Sequence, residues 1–265
     1  MNGATTLIED PWASLRRLTS ARIALGRAGT SLPTGEVLRF RLDHARARDA
    51  VLYEPDAEAL SRALGAFGRD VLRARSRCRD KGEYLARPDF GRRLSEESRK
   101  SVAAAAPAGG CDLVLVVADG LSGIAMERQA LPLLSAYLPL ASGLRLGPIC
   151  VASYARVALG DEIGSLLGSR AVLVLIGERP GLSSPDSLGA YLTFGPAIGT
   201  TDERRNCVSN IRPEGLPPPR AAVKLDYLVR ESLRRSLSGV RLKDEEESAL
   251  GPLPSFPRSI LAESA

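Results

Sequence analysis

The sequence predicts an α/β protein: a doubly wound, mostly parallel sheet flanked by helices and preceded by a helical N-terminal part. Three observations carry this. The run from Ala171 to Ile176 is apolar without alternation, the mark of a strand buried on both faces in a parallel sheet. From Asp112 onward, strand-like runs alternate with helical patterns, an order that wraps crossover helices around parallel strands. Before that, Ala106-Pro107-Ala108-Gly109-Gly110 reads as a linker, and the chain ahead of it is arginine-rich, helical in pattern and poor in strand-forming runs. The predicted organisation is a helical region over 1–105, a sheet domain over 106–240 and a flexible acidic, proline-rich tail over 241–265.

Along the chain, Asp10-Pro11-Trp12 leads into a short amphipathic helix around Leu15-Arg16-Arg17-Leu18-Thr19, and Gly26-Arg27-Ala28-Gly29-Thr30 forms a turn. Thr34 is placed to cap a helix from Gly35 to about Asp49, with Leu38, Leu42 and Ala45 at helical spacing. Further helices are expected from Asp56 to about Phe67 and from Arg92 to Ala105. Beyond the linker, Asp112 to Ala118 is a strand, Asp119-Gly120-Leu121-Ser122 its exit loop, and Gly123 to Leu138 a helix. Leu144 to Ala152 is the next strand, where Gly147 and Pro148 indicate an edge position or an interruption. Asp161 to Leu167 is a short helix, Leu188 to Phe194 a short strand, and Ala221 to Ser238 a closing amphipathic helix. The stretch Asp202 to Ile211 reads as a polar loop holding one cysteine. From Arg241, the run Asp244-Glu245-Glu246-Glu247 and further prolines read as a mobile tail.

Composition narrows the function classes. The chain has 265 residues and a formal charge of +5 carried mainly by arginine, much of it ahead of Lys100. Such a surface suits nucleic acid, a phosphate-bearing cofactor or an acidic protein. No zinc-finger spacing or aromatic RNA-binding signature accompanies the arginines. Cys78, Cys111, Cys150 and Cys207 are widely spaced and no secretory signal is visible, so a reduced, soluble, intracellular protein is expected. A single histidine, His44, cannot build a typical zinc site. There is no GxGxxG fingerprint, no GxxxxGK[ST] loop and no GxSxG elbow, so nicotinamide, P-loop and hydrolase chemistry lack their marks.

The sharpest candidate site is Ile176-Gly177-Glu178-Arg179-Pro180-Gly181-Leu182, because the loop leaving a strand's carboxyl end is where open α/β sheets bind ligands. Glu178 there can accept hydrogen bonds from a hydroxyl or amide, or simply pair with Arg179. Asp119 and Ser122 either cap the next helix or hold an anionic or amide group at its N-terminus. Cys207 reads as a structural thiol or a soft contact lining a cleft, since no base accompanies it. Gly26-Arg27-Ala28-Gly29 and Arg87-Pro88-Asp89 are either arginine-based anion sites or solvated turns. A ligand cleft without a self-sufficient set of catalytic groups suits a cofactor-binding subunit completed by another chain.

Several segments resemble, in order and spacing, the ethanolamine ammonia-lyase small-subunit family. These are Arg22-Ile23-Ala24-Leu25-Gly26-Arg27-Ala28-Gly29, Leu38-Arg39-Phe40, Asp43-His44-Ala45-Arg46 and Tyr84 through Leu94. They continue with Asp119-Gly120-Leu121-Ser122, Gly177 through Leu182, and Cys207-Val208-Ser209-Asn210-Ile211. The likeness runs from about Ser14 to Gly239. It implies a Rossmann-like domain that covers adenosylcobalamin from the side of its dimethylbenzimidazole tail. It also implies a TIM-barrel large subunit that binds ethanolamine, a hetero-oligomer of large–small pairs, and conversion of ethanolamine to acetaldehyde and ammonia by cofactor radical chemistry. The family's cofactor contacts carry over to Val157, Glu178 and Cys207. No residue of this chain is then catalytic. The lone histidine lacks the DxHxxG context, which implies that the cofactor keeps its own benzimidazole on cobalt.

Relatives in bacterial microcompartments often carry a longer N-terminal extension, so a free cytoplasmic enzyme and an encapsulated one are both expected possibilities. No membrane or nucleic-acid partner is expected. The competing reading is an arginine-rich scaffold or nucleic-acid-binding protein.

Overall fold

The computed structural model describes residues 7–19 and 21–245. Its elements, in order, begin with a two-stranded ribbon, β1 (Leu7–Ile8) and β2 (Arg27–Ala28), which encloses the 3-10 turn Ala13–Arg17. Then come α1 (Thr34–Leu52), α2 (Ala57–Gly65), β3 (Val71–Arg75), α3 (Lys81–Ala86) and α4 (Glu96–Ala104). The remainder is β4 (Cys111–Ala118), α5 (Gly123–Leu140), β5 (Leu146–Ser153), α6 (Leu159–Leu166), β6 (Ser169–Gly177), β7 (Leu188–Phe194), β8 (Arg205–Ile211) and α7 (Pro218–Arg235).

The sheet has six strands in the order β3-β5-β4-β6-β7-β8. The first four run parallel, whereas β7 and β8 are antiparallel additions, so the sheet is mixed. The connection between β6 and β7 holds no helix, and without a crossover the next strand returns antiparallel. Alternating side chains send Leu113, Leu115 and Val117 to one face, against α5 and α7, and Val114, Val116 and Ala118 to the other, against α4 and α6. Both faces are covered, which is why β4 and β6 show no polar alternation.

Several expectations are corrected. A strand, β3, lies ahead of the Pro-Gly linker and supplies the sheet's edge next to β5. Its sequence, Val-Leu-Arg-Ala-Arg, is half-exposed and arginine-bearing, which suits an edge and hides it from a search for apolar runs. The segment Asp202–Ile211 is not a loop but a 3-10 turn followed by the edge strand β8, in which every third residue, Arg205, Val208 and Ile211, is buried and the polar ones between are not. The strand β5 is internal, so Gly147 and Pro148 mark an interruption and not an edge. Register slips there, Leu113 facing Leu146 but Leu115 facing Ile149. The residue capping α1 is Pro33, with Thr34 already helical. The helix expected from Arg92 begins at Glu96, where Ser95 accepts from the Ser98 N–H, after a 3-10 turn over Phe90–Arg92. Asp56 caps α2, accepting from the amides of Glu58 and Ala59. Most of the expected tail, from 246 on, lies outside the described residues. No described helix is long and apolar enough to cross a membrane.

Candidate functional site

At the carboxyl ends of β4, β5 and β6 the exit loops surround an open cleft of about 510 Å³. Leu121 comes from the first loop, Arg156 and Val157 from the second, and Glu178 and Arg179 from the third, while Tyr191 rises from β7. Connections from β4 and β5 leave toward opposite faces of the sheet, which opens a crevice between them.

Glycine brings the walls together. A Cβ on Gly177 would lie 2.0 Å from the Ser122 carbonyl oxygen, and one on Gly120, whose φ is +55°, 2.2 Å from the Gly177 oxygen. The Leu121 N–H donates to that same Gly177 oxygen at 3.0 Å. Asp119 latches the second loop, accepting from the N–H groups of Gly120 at 2.8 Å, Tyr154 at 2.7 Å and Ala155 at 3.0 Å. Burial raises its carboxyl pKa, opposed by those donors and by the charge of Lys81. Lys81 is itself buried, donates to the Gly120 carbonyl at 3.0 Å and lies 5.0 Å from the centre of the Tyr84 ring. Burial lowers its pKa, with Asp119 acting against that. Asp119 is thus not the cap of α5: it ties one loop to another. Ser122 does cap α5, accepting from the Ala125 N–H at 3.2 Å, while its hydroxyl donates to the Pro185 carbonyl at 2.7 Å.

Glu178 is half-buried and held from one side. Its Oε2 accepts from the Ser187 hydroxyl in a short hydrogen bond and from the Asn210 N–H at 3.2 Å. Asn210 itself adopts φ +56°, a left-handed conformation at the end of β8. A Cβ on Gly189 would sit 2.9 Å from Glu178 Oε1, so the glycine leaves room for the carboxylate. No described donor hydrogen-bonds Oε1. Pairing with Arg179 is not what orients Glu178.

Val157 and Glu178 line the same cleft; Cys207 does not line it but stands opposite Tyr191 in the β7–β8 ladder. Cys207 is the exposed thiol, and partial desolvation raises its pKa, with the Tyr191 hydroxyl countering and Glu178 adding to the push. Beyond Val157 a second open cleft of about 760 Å³ continues from the first. Arg156 and Val157 belong to both, and Arg92, Ile198 and Thr200 line the far side. The Arg156 guanidinium stacks 4.3 Å from the Tyr84 ring centre and donates to the Tyr84 carbonyl at 3.2 Å. Tyr84, Arg156 and Tyr191 were not singled out from the sequence. For Tyr191 the signal is its alternation within the short strand Leu188–Phe194.

The other candidates do not join the cleft. Arg87 pairs with Asp89 at 2.8 Å and lies over the Phe90 ring, so that motif closes on itself. His44 is an exposed residue on α1 beside Phe40. Gly26 and Gly29 turn the chain about β2 with φ of +75° and +61°. Ser184 and Gly181 close a tight turn between β6 and β7. Much of the basic face is neutralised: Arg39, Arg46, Arg73, Arg79 and Arg93 each face a carboxylate. Among the described residues no group of three or more His, Cys, Asp or Glu could hold a metal.

Comparison with known proteins bears on this geometry. The family model described as "Ethanolamine ammonia-lyase light chain (EutC)" matches residues 9–243. A protein of Azotobacter vinelandii named ethanolamine ammonia-lyase small subunit is 55% identical over 253 residues, covering 94% of each chain. Its namesake in Xanthomonas campestris pv. campestris is 54% identical over 254 residues, 94% of this chain and 93% of that one. The one in Pseudomonas fluorescens is 53% identical over 245 residues, 91% of this chain and 88% of the other.

Proposed function

Because this chain belongs to the ethanolamine ammonia-lyase light-chain family, we propose that its paired clefts form one wall of an adenosylcobalamin site, closed by the catalytic large subunit. The parallel part of the sheet with its crossover helices is, on this reading, the Rossmann-like cobalamin-binding domain. Val157, Glu178 and Cys207 are the cofactor contacts, and the large subunit is a TIM barrel that binds ethanolamine.

The observation carrying this reading is the meeting of the two clefts at Arg156 and Val157. A corrinoid is too large for a closed pocket of about 510 Å³, whereas two open troughs sharing a ridge suit a broad, flat ligand. The donor set fits as well. A corrin ring is fringed with amides, and Glu178 Oε1 is an acceptor without a described protein donor. Leu121, Val157 and Tyr191 offer apolar contact to ring edges.

When bound, the cofactor supplies homolytic radical chemistry that no side chain of this chain provides. The chain's own residues do the rest. Glu178 orients the ligand through an acceptor already fixed by Ser187 and Asn210. The Asp119–Lys81 latch keeps the loops from splaying, and Val157 and Tyr191 exclude water from the ligand's edge. Acetaldehyde and ammonia form only when the large subunit is present.

The test is reconstitution. The isolated chain is expected to release no ammonia from ethanolamine, and activity is expected only with the large subunit and adenosylcobalamin together. Glu178→Ala is expected to weaken adenosylcobalamin binding to the reconstituted complex by about tenfold or more, the worth of one charge-assisted hydrogen bond, while leaving assembly intact. Turnover by the isolated chain would refute the division of labour, and unchanged cofactor affinity would remove Glu178 from the site.

A further inference from the structure

The helix α1 spans 19 residues, yet only Ala50 in it is buried. Eleven of the fourteen exposed large hydrophobics among the described residues lie between Leu7 and Tyr53, including Trp12 at 66%, Leu38 at 58%, Leu42 at 50% and Phe40 at 45%. At 100° per residue, Leu38, Leu42 and Ala45 share one face of α1, whereas Phe40, Ala47 and Val51 share the opposite one. A surface helix has one apolar stripe; a helix apolar on two sides is one that other protein surrounds. Exposed apolar side chains gathered in one segment mark a surface that binds other protein.

The root of α1 locates the missing protein. Tyr53 donates from its hydroxyl to Glu127 at 2.5 Å, and Tyr154, in the loop leaving β5, donates to Glu54 at 3.1 Å. Gly123, at the start of α5, lies directly under Tyr53 and Pro55, where a Cβ would meet the Pro55 ring at 2.6 Å. The helix therefore springs from the same rim on which the clefts open, and a chain gripping it also lies over them. Charge selects the kind of chain. Arg39, Arg41, Arg46 and Arg48 run between the two apolar faces, and no described carboxylate pairs with Arg41 or Arg48. Along the edge that carries Arg41 and Arg48 a second copy would set arginine against arginine, whereas Glu36 and Asp43 already offset Arg39 and Arg46 on the other.

We propose that α1 is a docking arm, seated in an apolar groove rimmed by carboxylates on a different protein chain, and that this contact fixes that chain over the clefts. The inference rests on the proposed function in taking the large subunit as that chain. A helix of about 28 Å wrapped on two faces offers area comparable with the roughly 800 Å² per side of a stable interface.

The experiment compares amide hydrogen exchange in the full-length chain alone, over a range of concentrations, and in its complex with the large subunit. Fast exchange of α1 alone at every concentration, and exchange slowed by about tenfold or more in the complex, is the expected result. The doubly substituted L38S/F40S chain is expected to keep its circular dichroism and its melting temperature, since both side chains are exposed. It is expected to bind the large subunit about tenfold more weakly or worse. A complex in which α1 still exchanges freely overturns the docking arm and leaves the proposed function standing. Protection of α1 that grows with the concentration of the isolated chain makes the occupant a second copy and also overturns it. If no complex with the large subunit forms, the proposed function falls together with this inference.

Discussion

Arg205 opens β8 with a side chain 3% exposed, and grips the Asp161 carboxylate of α6, itself 1% exposed, through two parallel hydrogen bonds of 2.7 Å. It also donates to the Thr193 hydroxyl at 2.9 Å and the Thr200 carbonyl at 2.7 Å. One guanidinium thus joins α6, β7, β8 and the loop along the second cleft. Arg205→Met removes every one of these bonds and leaves Asp161 buried without its counter-charge. Breaking one side of a buried pair costs about 3–5 kcal/mol, which for a chain this size lowers the melting temperature by roughly 10 °C. Burial already raises the Asp161 pKa against the pull of Arg205, and removing the guanidinium raises it further. A raised carboxyl pKa means that the folded state keeps a proton the unfolded chain releases. Its contribution is therefore full below the unfolded value and is lost as pH rises through the folded one. The R205M deficit is accordingly expected to be largest at neutral pH and to shrink toward pH 4, followed by urea denaturation with circular dichroism at several pH values. Replacing both partners, R205M with D161L, is expected to recover most of the loss, because neither charge then stays stranded. A loss under about 1 kcal/mol at pH 7, or a deficit flat with pH, would refute the reasoning.

Gly177→Ala drives a methyl group onto the Ser122 and Asp119 carbonyl oxygens at 2.0 and 2.5 Å, so a destabilisation of roughly 3 kcal/mol is expected in the same denaturation assay. Mass spectrometry after native maleimide labelling is expected to find Cys207 modified first, with Cys78, Cys111 and Cys150 reacting only after unfolding. Because the Cys207 pKa is raised and thiolate is the nucleophile, the rate is expected to climb beyond pH 9, whereas Cys150, pushed up to about 12, stays inert. Ser187→Ala frees Glu178 from its hydroxyl donor and is expected to weaken adenosylcobalamin binding by a few-fold, less than Glu178→Ala does, as read by equilibrium dialysis of the reconstituted complex.

The sequence made the central strands and their helices legible because their burial leaves a plain record. The strand β7 has the predicted bounds, and β4 and β6 differ from prediction by no more than two residues at an end, since each is apolar on both faces. The edges were not legible. Strands β3 and β8 are paired along one side only, so polar residues are tolerated and the pattern resembles a loop. Glu178 was found by position, at the end of a strand whose burial gave it away. Val157 was not: it sits in an irregular turn, and its place beside Arg156 between two clefts is set by the Asp119 carboxylate reaching from another strand. That latch spans 36 residues in sequence, and no local pattern encodes it. Capping, one of the two readings left open for Asp119 and Ser122, holds for Ser122 and not for Asp119; Asp followed by Gly before a helix is locally indistinguishable from a cap.

The buried polar groups around the clefts divide by what they leave unused. Asp119 accepts from three backbone amides and Lys81 donates to the Gly120 carbonyl, so both hold backbone in place. Glu178 differs: two donors hold Oε2, and Oε1 stays open above Gly189. Its side-chain entropy is therefore lost on folding and not on binding, and a ligand amide that reaches Oε1 gains the hydrogen bond without immobilising the acceptor. Stiff loops below and one oriented acceptor at the rim are what a wall needs if its task is to fix a large ligand's angle while another chain acts on the substrate. In the proposed function the light chain thus contributes orientation, and a substitution in the latch acts on reaction rate only through the tilt it permits.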